Sequence, residues 1–507
     1  MLKIFRIMAE HTKPLLRLTE FGAAEAVPGS KLLLEAGEKK HLIDYGKSYN
    51  DKEEEVTGPL KSIDSLILSH AHADHIGDVL KLYKSGFNNK VFSTYETAAI
   101  TELQLKQEVS SVFIHNKMVK GKRYTYGPNK GKWVPFKKVL YNSEDINNFM
   151  SLFSSASYNK KGHPYEKTIT LNDSVNLTFY EAGHIPGSSQ MLFEIKKEGK
   201  EANVLIACDL GRTDYQILGH PRADTPIVKF PKTGFSKNID YIVVESTYGD
   251  KTHAPLEDSL SVLENAAKDA AKNNGRLVIP AFSIMRTHML WNFLFRLHQQ
   301  GRLPEDMTFY SSSPFADQVS KIILSHIENL DEQALKEFEN KNYNPFHFEK
   351  LVHHKKMDET RAVLEDYTRP SGFIASSGMC EGGRVIPILE KVVPDPNSII
   401  LLTGYASPKT RAGKLQNKEK QIPFDGSLIE LKADVRKLGG LSGHADREEI
   451  IAHLKSMHDP AKGEQFKGIF IKHGEKEACY KLKDKIVEAG FKADTVHVMK
   501  KDQAYNI

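Results

Sequence analysis

Short apolar runs recur along the chain with polar, helix-patterned stretches between them. "KLLLEA", "HLIDYG", "SLILSH", "VNLTFYEA", "MLFEI" and "NVLIACD" read as strands in the first 210 residues. "YIVVEST", "RLVIPAF", "MTFYSSS", "GFIASSG", "SIILLTGY" and "GIFIKHG" continue the series. The spacing predicts helices from Leu256 to Asn274 and from Thr287 to Gln300. Strand and helix alternate in the later part, which predicts a layered α/β protein. Residues 116 to 138 and 218 to 238, rich in Gly, Pro and Lys, carry the weakest pattern, and the second is the expected domain junction. Many strand runs end in a polar residue able to do chemistry: Asp44, His70, Glu245, His473 and, just past "EAG", His184. Open α/β sheets bind ligands outside the carboxyl ends of their strands, so residues far apart in sequence can converge on one rim.

Composition narrows the class without naming a function. A chain of 507 residues exceeds the usual single domain, so two domains are expected. No apolar run approaches the roughly 18 to 20 residues that span a bilayer, so no membrane role is expected. The opening "MLKIFRIMAEHTKPLLRL" has charges and a proline inside its apolar stretch, a poor signal peptide. Three widely spaced cysteines argue against a disulfide framework and fit a reducing, cytoplasmic setting. The net charge of +5 permits an acidic partner without demanding one.

"LSHAHADHIGD", residues 68 to 78, crowds His70, His72, Asp74 and His75 onto one tight turn after a strand. Zinc takes His nitrogen and carboxylate oxygen, and the period-two spacing lets His70 and His72 point the same way. Manganese is admitted by the same donors, with availability deciding between the two.

These motifs resemble the metallo-β-lactamase superfamily, and specifically its β-CASP branch, which processes nucleic acids. Asp44 in "LIDYG" fits the first motif and His70, His72, Asp74 and His75 the second. His184 in "EAGHIPGSSQ" and Asp209 in "ACDLGR" fit the third and fourth. Glu245 in "VVESTYGD", His444 in "LSGHAD" and His473 in "IKHGE" fit the three β-CASP motifs. The likeness covers nearly the whole chain and is greatest to compact prokaryotic RNA-processing ribonucleases, relatives of the eukaryotic pre-mRNA 3′-end endonuclease. It implies an α/β architecture, an αββα sandwich with an inserted α/β β-CASP domain. The expected division is 1–215 and 437–507 for the sandwich and 216–436 for the insert. It also implies two zinc ions, one on His70, His72 and His184, the other on Asp74, His75 and His473, with Asp209 bridging. Two cations about 3.5 to 4 Å apart clamp both the attacking and the leaving oxygen of an in-line displacement. Asp44 is then an orienting carboxylate, Asp74 both ligand and catalytic residue, His444 the general acid and Glu245 its orienting carboxylate. Strand alternation lets only one of Cys208 and Asp209 face the metals; the "CDLG" context selects Asp209, which disfavours an antibiotic hydrolase.

The expected reaction is hydrolysis of phosphodiester bonds in single-stranded RNA. "ASSGMCEGG" places Ser376, Ser377 and Gly378 at a strand end, where small residues and backbone N–H groups can cradle a phosphate. Arg286 in "PAFSIMRTHML" is a further phosphate contact in the same reading. The chain departs from the branch where "VIPIL" follows "EGGR" in place of paired histidines, and where Ser312 replaces a common aspartate. DNA-directed members carry valine at the third β-CASP motif, so His473 favours RNA. Residues 116 to 138 lie outside the family motifs and hold eight basic and no acidic residues, with Tyr124, Tyr126, Trp133 and Phe136 interleaved. Lys120, Lys122 and Arg123 there are expected to guide single-stranded RNA, since cations neutralise phosphates and aromatics stack on bases. The alternatives are a DNA-directed nuclease, a small-molecule hydrolase, which needs neither Glu245 nor His444, and a scaffold subunit, which would have lost ligands. The RNA target, endo- or exonucleolytic action and a homodimeric state are left open.

Overall fold

A computed structural model describes residues 14–48, 58–119, 138–157, 160–212, 229, 231–253, 256–330, 335–336, 344–404, 406, 408–424 and 427–507. Two sheets stack face to face. The six-stranded one runs Ala504–Asn506, Leu16–Glu20, Leu32–Ala36, Lys39–Ile43, Ser65–Ile67 and Lys90–Phe92 across its width. The seven-stranded one runs Val496–Val498, Gly468–Ile471, Tyr241–Val244, Lys200–Ile206, Ser189–Lys197, Val175–Glu181 and Thr168–Asn172.

Side-chain alternation assigns each strand's apolar residues to two cores. Leu32, Leu34 and Ala36 fill the layer between the sheets, with Val204, Ile206, Val243 and Phe470 opposite, while Leu33 turns to the outer helices. In the second sheet Leu205, Ile242, Val244, Ile469 and Ile471 face outward, against Ile450 and Leu454 of the helix Arg447–Met457 and Cys479, Leu482 and Ile486 of Lys476–Glu488. Strands covered on both faces need unbroken apolar runs, which is why "NVLIACD" and "GIFIKHG" lack polar alternation. The result is an αββα sandwich, as the resemblance implies.

A third sheet, in the order Leu351–His353, Thr308–Ser312, Ser371–Ala375, Arg276–Pro280, Ile399–Leu402 and Asp434–Lys437, is parallel throughout. Leu277, Ile279, Phe309 and Ile374 pack with Leu256–Lys272, Arg286–Gln299 and Pro314–Leu324 on one face. Val278, Phe373 and Ile400 pack with Met357–Glu365, Val385–Val392 and Arg411–Gln416 on the other. All six carboxyl ends therefore lie on one edge. The predicted helices over Leu256–Asn274 and Thr287–Gln300 form as Leu256–Lys272 and Arg286–Gln299.

One strand departs from the expected division. Tyr241–Val244 falls inside 216–436, yet it pairs in parallel with both Lys200–Ile206 and Gly468–Ile471 of the sandwich. Its alternation explains this: Val243 fills the interior layer while Ile242 and Val244 fill the outer one. We propose on that basis that the insert begins beyond Val244. No helix among the described residues is long and apolar enough to cross a membrane.

Candidate metal centre

Asp44, Cys208 and His473 each follow the carboxyl end of a sandwich strand, and each holds a left-handed backbone, with φ of 62°, 46° and 54°. Such conformations cost non-glycine residues energy and persist where surrounding structure enforces them. Glycine permits the tightest approach nearby: a Cβ on Gly46 would lie 1.6 Å from the Asp74 carbonyl oxygen. The Asp44 turn and the histidine-rich loop can thus interlock only through the "DYG" glycine.

The seven expected donors converge. His72 Nδ1 lies 3.1 Å from His70 Nε2 and 3.0 Å from His184 Nε2. His75 Nε2 lies 3.2 Å from His473 Nε2, which is 3.6 Å from an Asp74 oxygen. Asp209 stands between the groups, one oxygen 3.5 Å from His70 and 3.3 Å from His75, the other 3.5 Å from His473 Nδ1. Donor atoms of His70, His72, His184 and Asp209 lie within 4.8 Å of one another, as do those of Asp74, His75 and His473.

The opposite nitrogens of these rings are hydrogen-bonded in a way that sets their tautomers. His75 Nδ1 donates to Asp44 Oδ2 at 2.7 Å. Ser69 donates its hydroxyl to the same oxygen at 2.8 Å and accepts from His70 Nδ1 at 3.0 Å. His184 Nδ1 donates to the Gly443 carbonyl at 2.7 Å, and His473 Nδ1 meets Thr247 Oγ1 at 3.2 Å. His70, His75, His184 and His473 therefore each present an Nε2 lone pair to the centre, whereas His72 turns its Nδ1 there. Lone pairs this close repel unless a cation lies among them, and the buried Asp209 Oδ1 has no hydrogen-bond partner. Imidazole nitrogens with carboxylates are the donor chemistry of zinc, so the residues fit metal ions. Burial alone would raise the Asp209 carboxyl, but His473, His75 and His70 override it and hold it well below the usual range.

A buried ion pair braces the His473 turn from below. Lys472 Nζ lies 2.6 Å from Glu20 and donates to Ser30 Oγ at 2.8 Å. The other Glu20 oxygen accepts the backbone N–H groups of Gly22, Ala23 and Lys31, and His473 N donates to the Ala23 carbonyl at 2.8 Å.

Beside the donors, His444 Nδ1 is 3.0 Å from both oxygens of the buried Glu245. Glu245 also accepts from Leu210 N at 2.8 Å, which ties it to the Asp209 turn. Burial opposes a charged His444, yet the Glu245 carboxylate outweighs it and lifts the imidazole pKa to about 9. Cys208 is buried in the interior layer, with its sulfur 4.0 Å from Asp44.

The expected phosphate contacts lie on the carboxyl edge of the parallel sheet. Arg286 has no carboxylate partner among the described residues, and burial lowers its pKa to about 10, with Tyr248 its nearby counter-group. That tyrosine joins the edge to His444, its ring centroid 6.2 Å away from the imidazole's. The cradle expected from backbone N–H groups is only partly present. Ser377 N donates to the Gly382 carbonyl at 3.2 Å, because the loop closes on itself there, while Ser376 Oγ meets Ser313 Oγ at 3.3 Å. Lys120, Lys122, Arg123 and the aromatic residues of 116–138 lie outside the described residues. Ser69, Thr247 and Tyr248 went unremarked in the sequence. Their only signal was adjacency to "HAHADH" and to Glu245 in "ESTYG".

Comparison with known proteins accords with this geometry. Residues 25–281 match the metallo-beta-lactamase superfamily, 287–415 the Beta-Casp domain, and 428–498 a domain described as a Zn-dependent metallo-hydrolase RNA specificity domain. A Thermus thermophilus protein named as a ribonuclease is 26% identical, over 92% of this chain and 95% of its own. The transcription termination factor FttA of Methanosarcina mazei is 26% identical over 92% of this chain and 68% of its own. A crystal structure of an Enterococcus faecalis protein of unknown function shares the fold at a TM-score of 0.50 and 10% identity, covering 97% of this chain and 100% of that one. The chain belongs to the metallo-beta-lactamase superfamily, in its β-CASP branch.

Proposed function

We propose that the protein is a metal-dependent ribonuclease that hydrolyses phosphodiester bonds of single-stranded RNA. The observation that carries this reading is the His444–Glu245 pair, 3.0 Å apart, set against the seven-donor centre. A β-lactam or thioester hydrolase needs the donors but not a second, carboxylate-held imidazole. His70, His72 and His184 would hold one zinc ion and Asp74, His75 and His473 the other, with Asp209 between them; manganese suits the same donors. Such a metal pair supplies Lewis acidity toward the phosphate and activation of the attacking water.

The remaining roles fall to the chain itself. Asp44 keeps His75 in the tautomer protonated on Nδ1, with the Nε2 lone pair free for a metal, and Ser69 extends that control to His70. His444, charged through Glu245, gives its Nε2 proton to the departing ribose oxygen as the P–O bond breaks. Arg286 and the serine loop at Ser376, Ser377 and Gly378 lie along the adjoining edge, where they would steady a phosphate. The match to an RNA specificity domain and a relative named as a ribonuclease support RNA over DNA.

Cleavage of end-labelled single-stranded RNA and DNA by zinc-loaded protein tests the reading, with His444→Ala and Asp74→Ala as controls. RNA cleavage abolished by both changes is the expected result. Cleavage of neither polymer, with metal confirmed bound, would point to a small-molecule hydrolase or a subunit that needs a partner.

A further inference from the structure

We propose that Phe282 is a stacking platform for one nucleobase of the substrate strand, an inference that rests on the ribonuclease reading above. Phe282 is 42% exposed, whereas nearly all large apolar side chains near it are buried. It stands two residues beyond the strand Arg276–Pro280, on the carboxyl edge where a parallel sheet presents ligand-binding loops.

The loop holds the ring outward by its backbone. The Phe282 carbonyl accepts from Thr287 N at 3.1 Å and from Thr287 Oγ1 at 2.8 Å. Between them Met285 takes a left-handed φ of 60°, so the segment is a closed turn rather than a slack loop. One side of the ring lies on the neighbouring loop. A Cβ on Gly378 would come within 3.0 and 3.1 Å of the Phe282 ring carbons, so the glycine lets the aromatic lie close against this loop.

The surroundings are those of a nucleotide rather than of a protein contact. Ser283, Ser313 and Ser376, from three adjacent strand ends, bring their hydroxyls together at 3.3 and 3.4 Å. Arg286 begins the helix after the Phe282 turn and has no carboxylate partner among the described residues. An exposed π face beside clustered hydroxyls and a guanidinium answers a base joined to its phosphate. Every base has such a face, so the platform would bind single strands with little regard to sequence. Through Tyr248, Arg286 connects this edge to His444 and hence to the scissile bond.

Steady-state cleavage of a short RNA by the zinc-loaded wild type, Phe282→Ala and Phe282→Tyr tests the idea, together with RNAs carrying a single abasic site at each position. The expected result is a KM raised about 5- to 150-fold in Phe282→Ala, the range of one base–aromatic stack, with kcat little changed. Phe282→Tyr should restore KM, and the deficit should vanish for the RNA abasic at one particular position. Wild-type cleavage with an unchanged KM in Phe282→Ala overturns the platform and leaves the ribonuclease reading standing. A deficit of equal size on every abasic RNA also overturns it, because the ring would then only brace the loop. A wild type that binds metal but cuts no RNA overturns the ribonuclease reading and the platform together.

Discussion

Replacing Asp44 by asparagine keeps its shape and removes its charge, and the hydrogen bonds around it decide how the site responds. Oδ1 accepts from Ser69 N at 2.8 Å, while Oδ2 accepts from Ser69 Oγ at 2.8 Å and from His75 Nδ1 at 2.7 Å. An amide must put its NH2 at one of these positions. Facing Ser69 N it would set two donors against each other, with no rotation open to the backbone. Facing His75 it meets groups that can adapt, since the serine hydroxyl rotates and the imidazole changes tautomer. The second arrangement wins, and it moves the His75 proton to Nε2, the atom that points at the donor cluster. A charge-assisted hydrogen bond of about 1.5–3 kcal/mol then no longer supports the ligating tautomer. Zinc affinity should fall about 10- to 100-fold. Competition with a chromophoric chelator measures this directly, with circular dichroism to verify the fold. Excess zinc should restore most of the cleavage rate, because the reacting groups themselves are untouched. Unaltered zinc affinity in a folded Asp44→Asn protein would refute the tautomer argument.

The same geometry fixes other outcomes. His444→Ala should keep its metal and lose about 10²- to 10⁴-fold in single-turnover rate, the usual cost of a missing general acid. The acid works only while protonated, and with its pKa raised to about 9 the rate should decline as pH rises past that value. In Glu245→Gln the largest raising influence is gone and burial prevails, so the alkaline limb should move down by roughly two pH units; a pH profile with an unmoved limb would contradict the pairing. Lys472→Met leaves Glu20 charged and buried without its cation, at a cost of about 3–5 kcal/mol seen as a lower urea midpoint. Neutralising Lys120, Lys122, Arg123, Lys130 and Lys132 together should weaken RNA binding and flatten its dependence on salt, as titrations across ionic strength would reveal.

Much of the architecture, and most of the residues that converge at the candidate site, were legible in one dimension. Strands covered on both faces announce themselves as unbroken apolar runs, and a polar residue closing such a run marks a rim. That rule singled out Asp44, His70, Glu245 and His473 before any contact was known, and "HAHADH" is local chemistry complete within six positions. The short strands Lys90–Phe92, Leu351–His353 and Ala504–Asn506 were not legible, because three residues at or near a sheet edge carry too little pattern. The sheet to which Tyr241–Val244 belongs was not legible for a different reason: an apolar run such as "YIVVEST" suits either sheet, and only its partners decide which. The tautomers belong to the fold alone. His184 owes its orientation to the Gly443 carbonyl, 259 positions away, and His473 to Thr247, 226 positions away. So does the exposure of Phe282, whose "PAF" resembles any strand end until Gly378 is seen beneath the ring. Periodicity and ligand spacing are properties of neighbours along the chain, whereas the hydrogen bonds that orient a ligand, and the gap that admits a ring, exist only between segments that folding has brought together.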